Sequence, residues 1–147
     1  MNLKKSAYLI SKFITYFGFF LLLPAVVFFF PRHIPESNPL YYQVVPFFIS
    51  SIITLILGFS LSRAFNNSES LKKDLTRKDG FLLASLIWLA AGLLGSLPYI
   101  FSSINLFGLI DYPIFQSNII VNSIFESISG ITTTGATSFS PFPDVAN

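Results

Sequence analysis

Apolar residues along this chain gather into three long runs that no charge interrupts. Phe13–Phe30 lies between Lys12 and Arg32, Leu40–Ser62 runs up to Arg63, and Phe81–Phe101 follows Lys78-Asp79. At 1.5 Å rise per residue, each run reaches about 27 Å or more as a helix, enough to cross a hydrocarbon core of about 30 Å with its flanks. Pro24 and Pro46 fall inside the first two runs, where spanning helices tolerate them. The pattern predicts three transmembrane helices.

Composition sharpens that reading. Of 147 residues, 52% are hydrophobic and 11% charged, whereas a soluble domain carries roughly 25% charged residues. Too little charge is present to dress a water-facing surface. The first run has the basic start of a signal peptide, but its apolar core is too long and no small-x-small cleavage site follows it. The net charge of +2 gives no case for a nucleic-acid partner. Its basic residues serve instead as topology signals. Lys4, Lys5 and Lys12 precede the first run, and Arg63, Lys72, Lys73, Arg77 and Lys78 lie between the second and third, while Arg32 stands alone between the first and second. By the positive-inside rule, the amino terminus and the 63–79 loop are cytoplasmic and the 31–39 loop faces out. The mixed charges of Asn66–Asp79 fit a solvated, topology-setting loop better than a lipid or nucleotide site. There is no cysteine, and His33 has no second ligand near it in sequence, so neither thiolate nor imidazole metal chemistry is indicated.

After Asp111 the pattern changes. Tyr112–Phe125 is uncharged but too short to cross, and Glu126 ends it. Such a length suits a re-entrant or interfacial segment, here entering from the outer face. The start of its helix is open to two readings. Ser123 with Glu126 three residues on has the form of a capping box, while Asn118 or Asn122 would cap a longer helix. Gly130 suits the left-handed position just past a helix end. The chain then runs through Ile131-Thr-Thr-Thr-Gly-Ala-Thr-Ser-Phe139. Branched threonines suit a helix poorly and a central glycine breaks a strand.

Irregular backbone at membrane depth persists only when buried in protein or lining a watery cavity. A half-helix aimed inward presents the negative end of its dipole and favours a cation there. Threonine hydroxyls and carbonyls add oxygen donors, and Gly135 permits the positive φ that aligns successive carbonyls. Carbonyls that replace an ion's hydration shell form the filters of potassium channels. The competing reading is a Ser/Thr/Gly-rich connecting loop with no ligand.

Ser123–Phe139, "SIFESISGITTTGATSF", closely resembles the first pore loop of bacterial potassium uptake subunits of the Trk/Ktr/HKT superfamily, especially the TrkH type. "KDGFLL" at 78–83 and "GSLPYIF" at 95–101 resemble the two ends of that family's first outer helix. The resemblance covers roughly residues 70–140, and the first two runs match the family's extra amino-terminal helices in type. It implies an all-α integral membrane fold: three transmembrane helices, then a re-entrant pore helix and filter loop, the incomplete start of a four-repeat potassium-channel-like fold. Residues 1–62 would be the two extra helices, 63–79 the cytoplasmic basic loop and 80–147 the first pore unit, cut before its inner helix. Thr133, Thr134, Gly135 and Ala136 would offer carbonyls to potassium, Thr133 also its hydroxyl, with Thr132 as a further candidate. Glycine at 135 resembles the potassium-selective form. Glu126 and Gly130 would support the structure, Glu126 as a buried partner behind the filter rather than an ion ligand.

The resemblance further implies a bacterial inner-membrane location, a homodimer, the remaining repeats of a longer chain, and a cytosolic nucleotide-binding regulatory subunit. No cofactor is implied. One filter stretch cannot enclose an ion, so this stretch alone is expected not to conduct. The alternative is a non-conducting membrane scaffold or assembly subunit. An enzyme is the weakest option, since there is no Ser/His/Asp set and no paired carboxylate within the runs.

Overall fold

The computed structural model describes residues 3–29, 39–66, 74–104 and 118–138. His33, Arg32, Lys72, Lys73, Asp111 and Phe139 lie outside the described residues, as do most of the 31–39 loop and residues 139–147. The described residues form five helices: α1 (Leu3–Phe29), α2 (Pro39–Phe65), α3 (Arg77–Gly95), α4 (Leu97–Ser103) and α5 (Ile119–Ile131).

Where they are described, the uncharged runs lie along α1, α2 and the α3–α4 pair, and each helix starts ahead of its run. α1 takes in Lys4, Lys5 and Lys12, because lysine is a good helix former whose long stem reaches away from an apolar surface. The Lys12 ammonium lies 5.4 Å from the centre of the Tyr8 ring one turn back. Pro39 opens α2, where its missing N–H and fixed φ suit the first helical turn. Pro24 and Pro46 stay inside their helices.

The third run is broken. At its start a complete capping box forms. The Thr76 hydroxyl and backbone N–H donate to Asp79 Oδ2 at 2.7 and 2.9 Å, and the Asp79 N–H donates to Thr76 Oγ1 at 3.3 Å. Asp79 is 0% exposed. At the other end, Pro98 cannot donate to the carbonyl of Leu94. The ladder therefore stops at Gly95, the Ser96 N–H turns to Leu94 O, and α4 begins with Ile100 N–H donating to Ser96 O at 3.0 Å. Even so, three helical segments are long and apolar enough to cross a membrane: Leu3–Val26, Val44–Phe65 and Arg77–Ser103.

Packing is inverted relative to a water-soluble bundle. Ser11, Thr15, Ser50, Ser51 and Thr54 are buried, while Phe19, Phe20, Phe48, Ile56, Phe59, Phe81 and Trp88 point outward. Most of the buried hydroxyls fold back on their own helix: Ser11 to Tyr8 O, Thr15 to Ser11 O, Ser50 to Pro46 O and Thr54 to Ser50 O, at 2.6 to 2.9 Å. Ser51 instead crosses between helices, donating to Gly18 O at 2.7 Å. α1 and α2 run antiparallel along this seam, with Gly18 against Leu55 and Gly58 against Thr15. Small residues let helix backbones approach closely where lipid, not water, covers the outside. α3 packs on α1, α4 on α2, and α5 on α3 and α4.

Candidate functional site

α5 is held against a second small-residue seam. A methyl group on Gly92 would fall 3.0 Å from Ile128 Cγ1, and one on Gly95 would fall 2.5 Å from Ser127 Oγ. Ile131 and Phe17 of α1 also reach the Gly95 position, each at 3.7 Å. The face that α5 buries is polar, carrying Ser123, Glu126, Ser127 and Ser129. The hydroxyls of Ser123 and Ser127 are buried without a hydrogen-bond partner among the described residues. An open groove of about 340 Å³ between α3 and α5, with an almost wholly apolar lining that includes Trp88, Leu89 and Ile131, flanks this contact.

The structure decides between the two readings of the start of α5, in favour of the longer helix with Asn118 at its N-cap, and corrects the reading of its end. The helix starts at Ile119, with Asn118 at its N-cap in the left-handed region (φ 51, ψ 40) and no side-chain cap bond. Ser123 and Glu126 therefore sit mid-helix and form no capping box, because the apolar stretch Ile119–Val121 is itself helical. Gly130 does not hold the left-handed position past the helix end. The helix continues through it to Ile131, whose side chain docks by Gly95, and Thr133 takes that position at φ 56. Thr134 N–H donates to Ser129 O at 3.0 Å and Thr133 N–H to Gly130 O at 3.3 Å, the paired bonds of a Schellman motif. A β-branched residue at positive φ is strained by about 1–2 kcal/mol.

Beyond the helix the chain turns into an exposed, oxygen-rich loop. The Thr132 hydroxyl caps Ile128 O at 2.7 Å and lies 2.7 Å from the Thr134 hydroxyl. Thr133 Oγ1 donates to Thr132 O at 2.7 Å. Gly135 has φ 71, with open space around it. The carbonyls of Thr133, Thr134 and Gly135 accept nothing from the described residues. Ala136 O, by contrast, accepts from Ser129 Oγ at 2.6 Å, so its carbonyl is anchored to α5.

Glu126, 8% exposed, gathers three donors on Oε1: Thr137 Oγ1 at 2.8 Å, the Ser138 N–H at 2.5 Å and Ser138 Oγ at 3.1 Å. Ser129, Thr137 and Ser138 do not stand out in the sequence by any motif. The one signal that points to them is a serine on the last turn of a helix, succeeded by a Ser/Thr-rich return.

Among the described residues, no group of three or more His, Cys, Asp or Glu side chains comes together. The loop offers hydroxyl and carbonyl oxygens at the negative end of a helix dipole, a donor set suited to a hard cation. Three helices capable of crossing a membrane and a short fourth element carrying such a loop define a helical membrane protein with a candidate cation-coordinating stretch.

The comparisons with known proteins give that class a particular relation. The chain is 41% identical over 66 residues to the Trk system potassium uptake protein TrkH of Halomonas elongata, and 43% identical over 67 residues to that of Escherichia coli. Each match covers 45% of this chain and 11% of the relative. With the TrkH protein of Vibrio parahaemolyticus the identity is 32% over 93 residues, 63% of this chain and 16% of the relative. The chain is thus similar to TrkH-type potassium uptake proteins and spans a small part of their length. No family model and no solved structure matches it.

Proposed function

We propose that this chain contributes one side of a potassium pathway across a membrane, with the loop after α5 as its ion-facing segment. The observation that carries the reading is the run of carbonyls at Thr133, Thr134 and Gly135 that accept no hydrogen bond among the described residues, presented beyond the carboxyl end of a short helix. Similarity to TrkH proteins supports it. In this reading α1–α2 are two accessory transmembrane helices, the 63–79 loop is cytoplasmic, and α3–α4 form the outer helix of the first pore unit. α5 is its re-entrant pore helix. Thr133, Thr134 and Gly135 supply carbonyls, Ala136 is the anchored end of the set, and Thr132 contributes its hydroxyl. The ion sheds water, is held by these oxygens, and moves on because no single site holds it too tightly.

One such segment leaves an ion open on its other sides, so further filter segments complete the cage, and this stretch alone does not conduct. The amino terminus lies in the cytoplasm of a bacterial cell. A homodimer and a cytosolic nucleotide-binding regulatory subunit complete the assembly.

The test is potassium-dependent growth and rubidium uptake in an uptake-deficient bacterium expressing the whole native product of this coding sequence. Gly135→Ala places a methyl group at φ 71, where an L-residue is strained by about 1–2 kcal/mol although space is open. Uptake should lose its preference for potassium over sodium. A Gly135→Ala protein that supports normal, selective uptake would sink the ion-path reading in favour of a scaffold.

A further inference from the structure

We infer that Glu126 and Ser129 act as positioning residues, a two-point latch that fixes the curvature of the loop without touching the ion. The inference rests on the ion-path reading above. It starts from where the loop is tied down. The chain leaves α5 at Thr132, and its return is fastened at two places. Ser129 Oγ holds Ala136 O at 2.6 Å, and Glu126 Oε1 holds Thr137 Oγ1, the Ser138 N–H and Ser138 Oγ. Both anchors rise from the same helix, three residues apart, on its buried face. Between the helix end and these fastenings lie Thr133, Thr134 and Gly135, with two positive-φ residues, Thr133 and Gly135, around Thr134.

A glycine-containing stretch keeps one shape only when the chain on both sides of it is fixed, because glycine has the widest choice of backbone angles. Thr133 at φ 56 is held from the helix by the Thr133 and Thr134 N–H bonds, whereas Gly135 at φ 71 can adopt many other angles and would do so if the return limb were free. The latch is what prevents this. A carboxylate collecting hydrogen bonds from one backbone N–H and two hydroxyls is suited to the task, because charge-assisted bonds are about twice as strong as neutral ones. The same oxygen is committed to the return limb, so the side chain acts on the ion through the loop and not by contact.

The chemistry separates this latch from an alternative in which the negative charge itself attracts the cation. Glu126→Gln keeps an acceptor oxygen at the same reach but removes the charge, whereas Glu126→Ala removes both. In the whole product, Glu126→Ala should raise the rubidium KM or lower rubidium-over-sodium discrimination by about tenfold or more, the factor carried by one charge-assisted bond. Glu126→Gln keeps an acceptor for the three donors at about half the strength and should fall between the parent and Glu126→Ala. Ser129→Ala should shift discrimination in the same direction as Glu126→Ala. It also keeps the test alive if Glu126→Ala fails to insert.

Hydrogen exchange of the Ser138 amide supplies a readout independent of transport: slow in the parent, fast in Glu126→Ala and between the two in Glu126→Gln. Parent-like transport by Glu126→Ala and Ser129→Ala would overturn the latch. So would a Glu126→Gln protein that loses transport while its Ser138 amide stays protected, since the charge would then be acting directly. Absence of rubidium uptake by the parent itself would instead remove the ion-path reading, and the latch with it.

Discussion

The seam between α1 and α2 makes a quantitative prediction at Gly58. A methyl group there would fall 2.5 Å from Thr15 Oγ1, 2.7 Å from its backbone nitrogen and 2.9 Å from its Cα. The nitrogen and Cα are backbone atoms, so no rotamer change can clear the space. Comfortable separation of non-bonded heavy atoms is about 3.5 Å, and Gly58→Ala must therefore drive the helices apart by roughly 0.6–1 Å at the crossing. Overpacking of this kind costs about 1–3 kcal/mol. Opening the seam also stretches the Ser51–Gly18 bond, now 2.7 Å, and such interhelical bonds contribute about 0.6 kcal/mol on average in membranes. Alanine returns about 0.8–1.0 kcal/mol through its better helix propensity. The balance is a net loss of about 0.6–2.8 kcal/mol. Reversible unfolding of the chain in mixed micelles, followed by circular dichroism, would measure it. If Gly58→Ala proves as stable as the parent, or more so, the close approach at Thr15 does not govern the hairpin and the reasoning fails.

Two further substitutions test other parts of the fold. Gly130→Ala should stabilise by about 0.5–1 kcal/mol in the same unfolding assay, because the position is helical and, among the described residues, nothing lies within 4 Å of the added methyl. Thr76→Ala should cost about 1 kcal/mol, and hydrogen exchange should show faster opening of the first turn of α3, at Asp79 and Gly80, as the capping box is lost.

Charge-free length was enough to locate the spans, because in hydrocarbon the dominant requirement is the exclusion of charge. Phe13–Phe30, Leu40–Ser62 and Phe81–Phe101 each fall in a region that is helical wherever it is described, apart from the turn at Ser96. What length could not reveal is where one helix becomes two. Pro98 carried the signal, a missing donor one turn after Leu94, but proline is so often tolerated inside spans that Pro24 and Pro46 gave no break at all. In the sequence the start of α5 is open between Ser123 and Asn118, and its end was misjudged, for a related reason. Capping residues were sought by local chemistry, and Ser123, Glu126 and Gly130 each fit a local motif. Tertiary contact decided otherwise: Ser127, Ile128 and Ile131 dock into the Gly92–Gly95 seam and carry the helix past Gly130. The hydroxyl and glycine content of the loop was plain from the residues. Its fastening by Ser129 was not, since a bond spanning seven positions leaves no periodic trace.

The contrast between the two seams bears on the order in which the protein is built. α1 and α2 meet through an antiparallel crossing with its own interhelical hydrogen bond, so the pair carries its own reason to stay together as soon as both helices are in the bilayer. α5 has no such independence. It is too short to span, and its inward face holds Ser123, Glu126, Ser127 and Ser129, groups that lipid cannot satisfy. It gains a place to rest only after the groove beside Gly92 and Gly95 exists. The element that carries the Thr132–Ser138 loop is thus the last of the described helices to settle, and damage to the α3 seam would register first as a chain that inserts but never matures.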